Sequence, residues 1–166
     1  SIAQPGDRVA DALGEMTLIQ SGGNKLVAIA RGTVSRDDYA AFAKLTQRKP
    51  ALCREKASLL RVLAPRTWET PGFEQSGGAS VVCVSWQDAD AFARWQSQRS
   101  GHRYRLPTSA EAQAASRNSS GKQVSEWLGE CSGGNCGRRM TAGRSWRGAG
   151  GGRPLEAERG YDDVGF

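Results

Sequence analysis

The stretch "SVVCVSWQDADAFARWQSQRSGHRYRLPTSAEAQAASR", residues 80–117, decides the fold. It opens on a short apolar run, 80–84, that reads as a β-strand. Ser85 follows, with Asp88 three residues on, the reciprocal capping pattern that starts a helix. Ala89, Phe92, Ala93 and then Trp95 or Gln96 recur at helical spacing, so this helix buries one face. "GHRYRLPT" then reads as a strand-like segment closed by Pro107, and Thr108 with Glu111 repeats the capping logic for a further helix. Short capped helices thus alternate with short β runs along this stretch.

Working outward toward the N-terminus, "MTLIQ" (16–20) and "KLVAIA" (25–30) are β-rich runs separated by "SGGN", which predicts a hairpin. "TVSRDDYAAFAKLTQR" carries an N-cap at Ser35, acids at Asp37 and Asp38, and apolar Tyr39, Phe42, Ala43 and Leu45, which predicts an amphipathic helix. Residues 50–80 have no sustained period beyond "ASLLRVLA" and read as an irregular excursion. Toward the C-terminus Gly, Ser and Arg dominate, with islands "VSEWL", "RRMTAGRSW" and "YDDVGF"; no internal repeat is evident. The opening "SIAQPGDRVADALG" reads as a cut linker, so the expected organisation is a linker over 1–15 and one domain over 16–166.

Composition agrees with a packed but irregular domain. The chain of 166 residues is 38% hydrophobic with five Trp, and its 21 Gly signal many turns. The net charge of +6 is uneven: residues 1–90 carry 11 basic against 10 acidic side chains, residues 91–166 carry 12 against 7. The excess is scattered Arg, with neither an aromatic-basic RNA motif nor a helix-turn-helix pattern, so no nucleic-acid partner is expected. No run of about 18 apolar residues and no signal-peptide pattern occurs, so any membrane attachment is expected through a segment outside this sequence.

Cys53, Cys83, Cys131 and Cys136 permit three pairings. Cys131 and Cys136 flank a flexible "SGGN" loop across which a local disulfide is easily closed, which leaves Cys53 and Cys83 as partners. Two bridges imply an oxidising compartment, periplasmic or extracellular. Four reduced, partly buried thiols are the alternative, whereas a Cys₄ zinc site lacks the two short knuckles it needs.

The islands "VVCVSWQDADAFARW", "GHRYRLPTSAEAQAASR", "VSEWLGEC", "RRMTAGRSW" and "YDDVGF", with the helix start near "GTVSRDDYAAF", resemble in order and wording the formylglycine-generating (sulfatase-modifying factor) enzyme family. The resemblance covers about residues 16–166 and implies an irregular α+β fold similar to the C-type lectin fold. Catalytic members of that family bind copper(I) through two cysteines that follow the G-S-W island; carried over from Trp146, those positions are Gly148 and Arg153. Neither side chain supplies a soft thiolate, so the resemblance implies a catalytically degenerate member with no metal cofactor. The iron-dependent branch of the family needs several histidines, and this chain has only His102, read as a surface side chain in a turn. Ala112 and Ala114 stand where the family has aromatics, and Gln123 stands where an Asn oxygen serves its calcium site, leaving Glu126 as a calcium ligand to be tested.

The rewritten stretch "GRSWRGAGGGRPLEAERGY" supplies the expected binding residues: Arg144, Trp146, Arg147, Arg153, Arg159 and Tyr161. Guanidinium forks beside aromatic faces suit carboxylates, sulfates, phosphates or an acidic peptide. The competing reading makes Trp146 core and the arginines a solvated surface. Trp86, Trp95 and Trp127 are expected in the core, and Asp162 and Asp163 in a turn. The expected function is a non-enzymatic extracytoplasmic sensor domain, resembling those attached through a membrane helix to bacterial serine/threonine kinases, that binds an anionic small ligand or a partner protein. The alternatives are a residual oxidoreductase of the same family, using Cys131 and Cys136, and a lectin-fold variable receptor.

Overall fold

The computed structural model describes residues 3–11, 13–23, 25–30, 32–53, 59–115, 118–122, 125–133, 135–140, 142–144 and 164–165. Three strands form the N-terminal sheet in the order β1-β2-β3: Arg8–Asp11, Gly14–Ser21 and Lys25–Ala30, all antiparallel. The expected hairpin is β2–β3, in register from Met16↔Ala30 to Ser21↔Lys25, and it turns through Gly22 and Gly23 at φ 53° and 76°. β1 lies inside the stretch expected to be a linker. Its register, Arg8↔Thr17 to Asp11↔Gly14, corrects that expectation for residues 8–11. The strand gains its ladder from β2 rather than from any apolar pattern of its own.

Helix α1, Arg36–Thr46, starts at Ser35, whose side chain accepts from the Asp38 N–H. Tyr39, Phe42 and Ala43 are buried, while Leu45, expected on the same face, is exposed, because it lies off the stripe that the other three form. A single turn, α2 (Leu60–Leu63), interrupts the irregular excursion. Helix α3, Trp86–Ser100, has the full capping box: Ser85 Oγ accepts from the Asp88 N–H, and the Asp88 carboxylate accepts from the Ser85 N–H. It stops at Gly101, φ 76°, a left-handed cap that glycine adopts without steric cost. Helix α4, Ser109–Ala114, is capped the same way by Thr108 and Glu111.

The apolar run 81–84 is not a strand. Val81, Val82, Cys83 and Val84 are completely buried, but only Ser80 forms a bridge, to Ser35, and Cys83 takes φ 60°, which breaks any ladder. A short apolar run reports burial more reliably than it reports strand geometry. "GHRYRLPT" likewise forms no strand.

The C-terminal islands supply the remaining strands: β4 (Asn118–Lys122), β5 (Ser125–Ser132), β6 (Asn135–Met140), β7 (Ala142–Arg144) and β8 (Val164–Gly165). β5 and β6 are antiparallel; β8 joins β5 in parallel, with Ser125↔Val164 and Glu126↔Gly165, and β4 pairs β7 in parallel. Two indoles stitch β5 to the 81–86 run: Trp127 Nε1 donates to Val84 O at 2.9 Å, and Trp86 Nε1 donates to Leu128 O at 2.8 Å. Gly129 permits a third stitch. Its N–H donates to Pro107 O at 2.8 Å, and a Cβ there would lie 3.1 Å from Leu106 O.

The core sits between α1, α3 and the 81–84 run. Tyr39 meets Phe42 and Trp68 at ring-centroid distances of 5.3 and 5.2 Å, and Phe42 meets Phe92 and Trp95 at 5.4 and 5.3 Å, mostly edge-on or tilted as aromatic quadrupoles favour. Trp127 is core as expected; Trp86 and Trp95 are half-buried against it. Among the described residues no helix is long and apolar enough to cross a membrane.

Candidate functional site

All four cysteines are cross-linked. Cys53 joins Cys83 with Cα atoms 5.1 Å apart inside the core, and Cys131 joins Cys136 with Cα atoms 4.0 Å apart across the β5–β6 hairpin, where the two are register partners. This is the expected pairing. The first bridge ties the irregular 50–80 excursion to the buried 81–84 run. The second closes a turn through Gly133, φ 59°.

Copper(I) requires thiolate or comparably soft donors. With every cysteine of the chain in a disulfide, the residues present do not fit that ion, and no chemistry through it is derived. Among the described residues no three His, Cys, Asp or Glu side chains gather as a metal site. Glu126 is fully buried on β5 opposite Arg139 of β6. His102 is exposed, its backbone N–H held by Ser100 Oγ, in the turn expected for it.

Of the expected binding residues, Arg144 ends β7, paired with Lys122 of β4. Trp146, Arg147, Arg153, Arg159 and Tyr161 lie outside the described residues, as do Gly148 and Gln123. Arg138, nearby in sequence on β6, places its guanidinium 5.1 Å from the Trp127 ring centroid, a cation–π contact.

A charged cluster sets α4 against the N-terminal hairpin. Arg105 grips Glu111 with both nitrogens, Nη1 to Oε1 at 2.7 Å and Nη2 to Oε2 at 2.8 Å, while Ser21 Oγ donates to Glu111 Oε2 at 2.6 Å. The Thr108 N–H donates to Oε1 at 2.9 Å. The Arg105 guanidinium, helped by Ser21 and Thr108 and opposed by burial, pulls the Glu111 carboxyl down to about 2. The same hydrogen bonds raise Arg105. A comparable cluster lies on α3, where Arg48 Nε donates to buried Asp88 Oδ1 at 2.6 Å. Burial, reinforced by Asp88, pushes the Tyr39 phenol up.

Between the N-terminal sheet, α3 and residues 102–107 lies a cavity of about 550 Å³. Its wall is largely aliphatic and aromatic, with Leu13, Met16, Val27, Ile29 and Phe92, and Gln96 is among its polar lining residues. Gln96 exposes no surface, and among the described residues neither Oε1 nor Nε2 has a hydrogen-bond partner. Sequence reasoning left Trp95 and Gln96 as alternatives for this position. The signal was present, since Gln96 stands where the spacing from Ala89, Phe92 and Ala93 calls for an apolar residue. The Ser21–Glu111 bond had no such signal, being set by tertiary packing across 90 residues.

The sulfatase-modifying factor enzyme 1-like domain model matches residues 25–161, and the chain belongs to that family. The chain is also similar to a solved structure of PvdO from Pseudomonas aeruginosa, with a TM-score of 0.63 at 16% identity over 99% of this chain and 98% of that one. That likeness shows the fold, an α+β arrangement of short capped helices and small sheets. No curated protein matches the sequence.

Proposed function

We propose that the chain is a catalytically degenerate member of its family that serves as an extracytoplasmic binding or sensor domain of a larger membrane-attached protein, of the kind joined to bacterial serine/threonine kinases. The observation that carries this reading is that all four cysteines are consumed in two disulfides, which leaves no thiolate for metal-dependent oxygen chemistry. Gly148 and Arg153, at the positions that the family resemblance assigns to the copper cysteines, point the same way. Paired cysteines also fit a periplasmic or extracellular setting. Recognition is assigned to Arg144, Trp146, Arg147, Arg153, Arg159 and Tyr161, which suit an anionic small ligand or an acidic surface of a partner protein.

Anaerobic copper(I) titration against a chromogenic chelator tests the reading. The native protein takes up no stoichiometric copper, and the reduced protein gains no site that depends on Cys136. Stoichiometric binding by the reduced protein that disappears in Cys136→Ser establishes the residual-enzyme reading instead.

A further inference from the structure

Gln96 is a buried carboxamide whose two polar atoms have no hydrogen-bond partner among the described residues. Its neighbours on the same face of α3, Ala89, Phe92 and Ala93, are apolar, and a Leu or Met would fill the position without stranding a donor and an acceptor. Buried polar side chains are almost always paired, by protein, by water or by a ligand. Gln96 is among the described residues that line the 550 Å³ cavity, whose volume falls in the range of about 300–1,000 Å³ typical of small-molecule sites.

The chemistry of the wall narrows the occupant. Water held in such a space needs two to four polar partners, and most of the lining, Met16, Ile29, Phe92 and Ala93 included, is apolar. Glu111, the one carboxylate that borders the cavity, is already engaged by Arg105, Ser21 and Thr108. A molecule that fits must be apolar over most of its surface and must carry one compact group with an acceptor and a donor side by side. Arg103, exposed along the same cavity, disfavours a cationic ligand.

We propose that this cavity binds a small, mostly apolar, uncharged or anionic molecule that carries a lactam or primary carboxamide. Its carbonyl accepts from Gln96 Nε2–H, and its N–H donates to Gln96 Oε1. The site uses none of the residues from 144 to 161. It rests on the reading above only in treating the chain as a binding domain, and copper titration and ligand titration fail independently.

The test is a methyl-detected NMR titration of the full chain with ε-caprolactam and with N-methyl-ε-caprolactam, which keeps the carbonyl and ring but lacks the N–H. ε-Caprolactam shifts the methyl signals of Met16, Ile29 and Ala93 saturably and binds about tenfold more tightly than its N-methyl form, the discrimination expected when a buried acceptor is left unpaired. In Gln96→Leu, or in Gln96→Met should the first variant fold poorly, the two probes bind equally. Three results overturn the proposal: no saturable shift of those methyls with either probe, equal affinity of the two in the unmodified protein, or tenfold discrimination that survives loss of the Gln96 amide.

Discussion

Helix α3 has two sides built on different terms. Toward α1 it meets a filled aromatic pack, and its buried polar residue, Asp88, is bound by Arg48 and by its own cap at Ser85. Toward the N-terminal sheet, Gln96 is as deeply buried as Asp88 yet has no partner among the described residues, and it lines an open space. The contrast teaches that burial alone does not mark a structural residue. A buried polar group that the chain pairs belongs to the fold, and one left facing a cavity belongs to whatever enters it.

The largest expected effect breaks the packed side. Phe42→Ala removes a ring that touches Tyr39, Phe92 and Trp95 and costs about 4 kcal/mol in denaturant unfolding, whereas Ile29→Ala on the cavity wall costs about 2 kcal/mol, since part of its surroundings is already open. Equal losses at the two sites would mean that the cavity closes in solution. Next is Asp88→Ala, which strands Arg48 and removes half of the α3 capping box; the expected loss is about 3 kcal/mol by the same measurement.

A smaller effect appears with pH. Glu111 ionises at about 2 in the folded protein against its ordinary 4.5, so its contribution is complete above 4.5 and is lost as pH falls from there toward 2. Discounted for the half-exposed Arg105, it amounts to about 2 kcal/mol. Unfolding of the unmodified protein and of Glu111→Gln checks it: the gap between them is full at neutral pH and vanishes near pH 2. The smallest effect has the opposite sign. Gln96→Leu removes two polar atoms that have no partner among the described residues and raises stability by about 1 kcal/mol without ligand, which Asp88→Leu does not do.

Much of this fold was legible because its helices announce their own starts. Ser35, Ser85 and Thr108 each stand where they were expected to cap, and the "SGGN" between two β-rich runs located the first hairpin. Local hydrogen bonding decides such features, and sequence records local preferences well. What escaped depends on distant partners. β1 carries no alternating apolar pattern and becomes a strand only because β2 is beside it. The 81–84 run is apolar enough for a strand, but the positive φ of Cys83, whose disulfide reaches back to Cys53, gives it another shape. The cysteine pairing was legible through the short loop between Cys131 and Cys136. The cavity was not, because it arises where the hairpin, α3 and residues 102–107 fail to close on one another. The arginine-rich stretch was marked by composition and by family resemblance, neither of which places side chains in space.

The central claim, a family fold kept without the family's thiol chemistry, is tested most directly by counting free thiols in the denatured, unreduced protein and mapping its cross-linked peptides. The account predicts no free thiol, with Cys53 linked to Cys83 and Cys131 linked to Cys136. Two free thiols at Cys131 and Cys136 would contradict it, because a pair of soft donors would then be available to a metal.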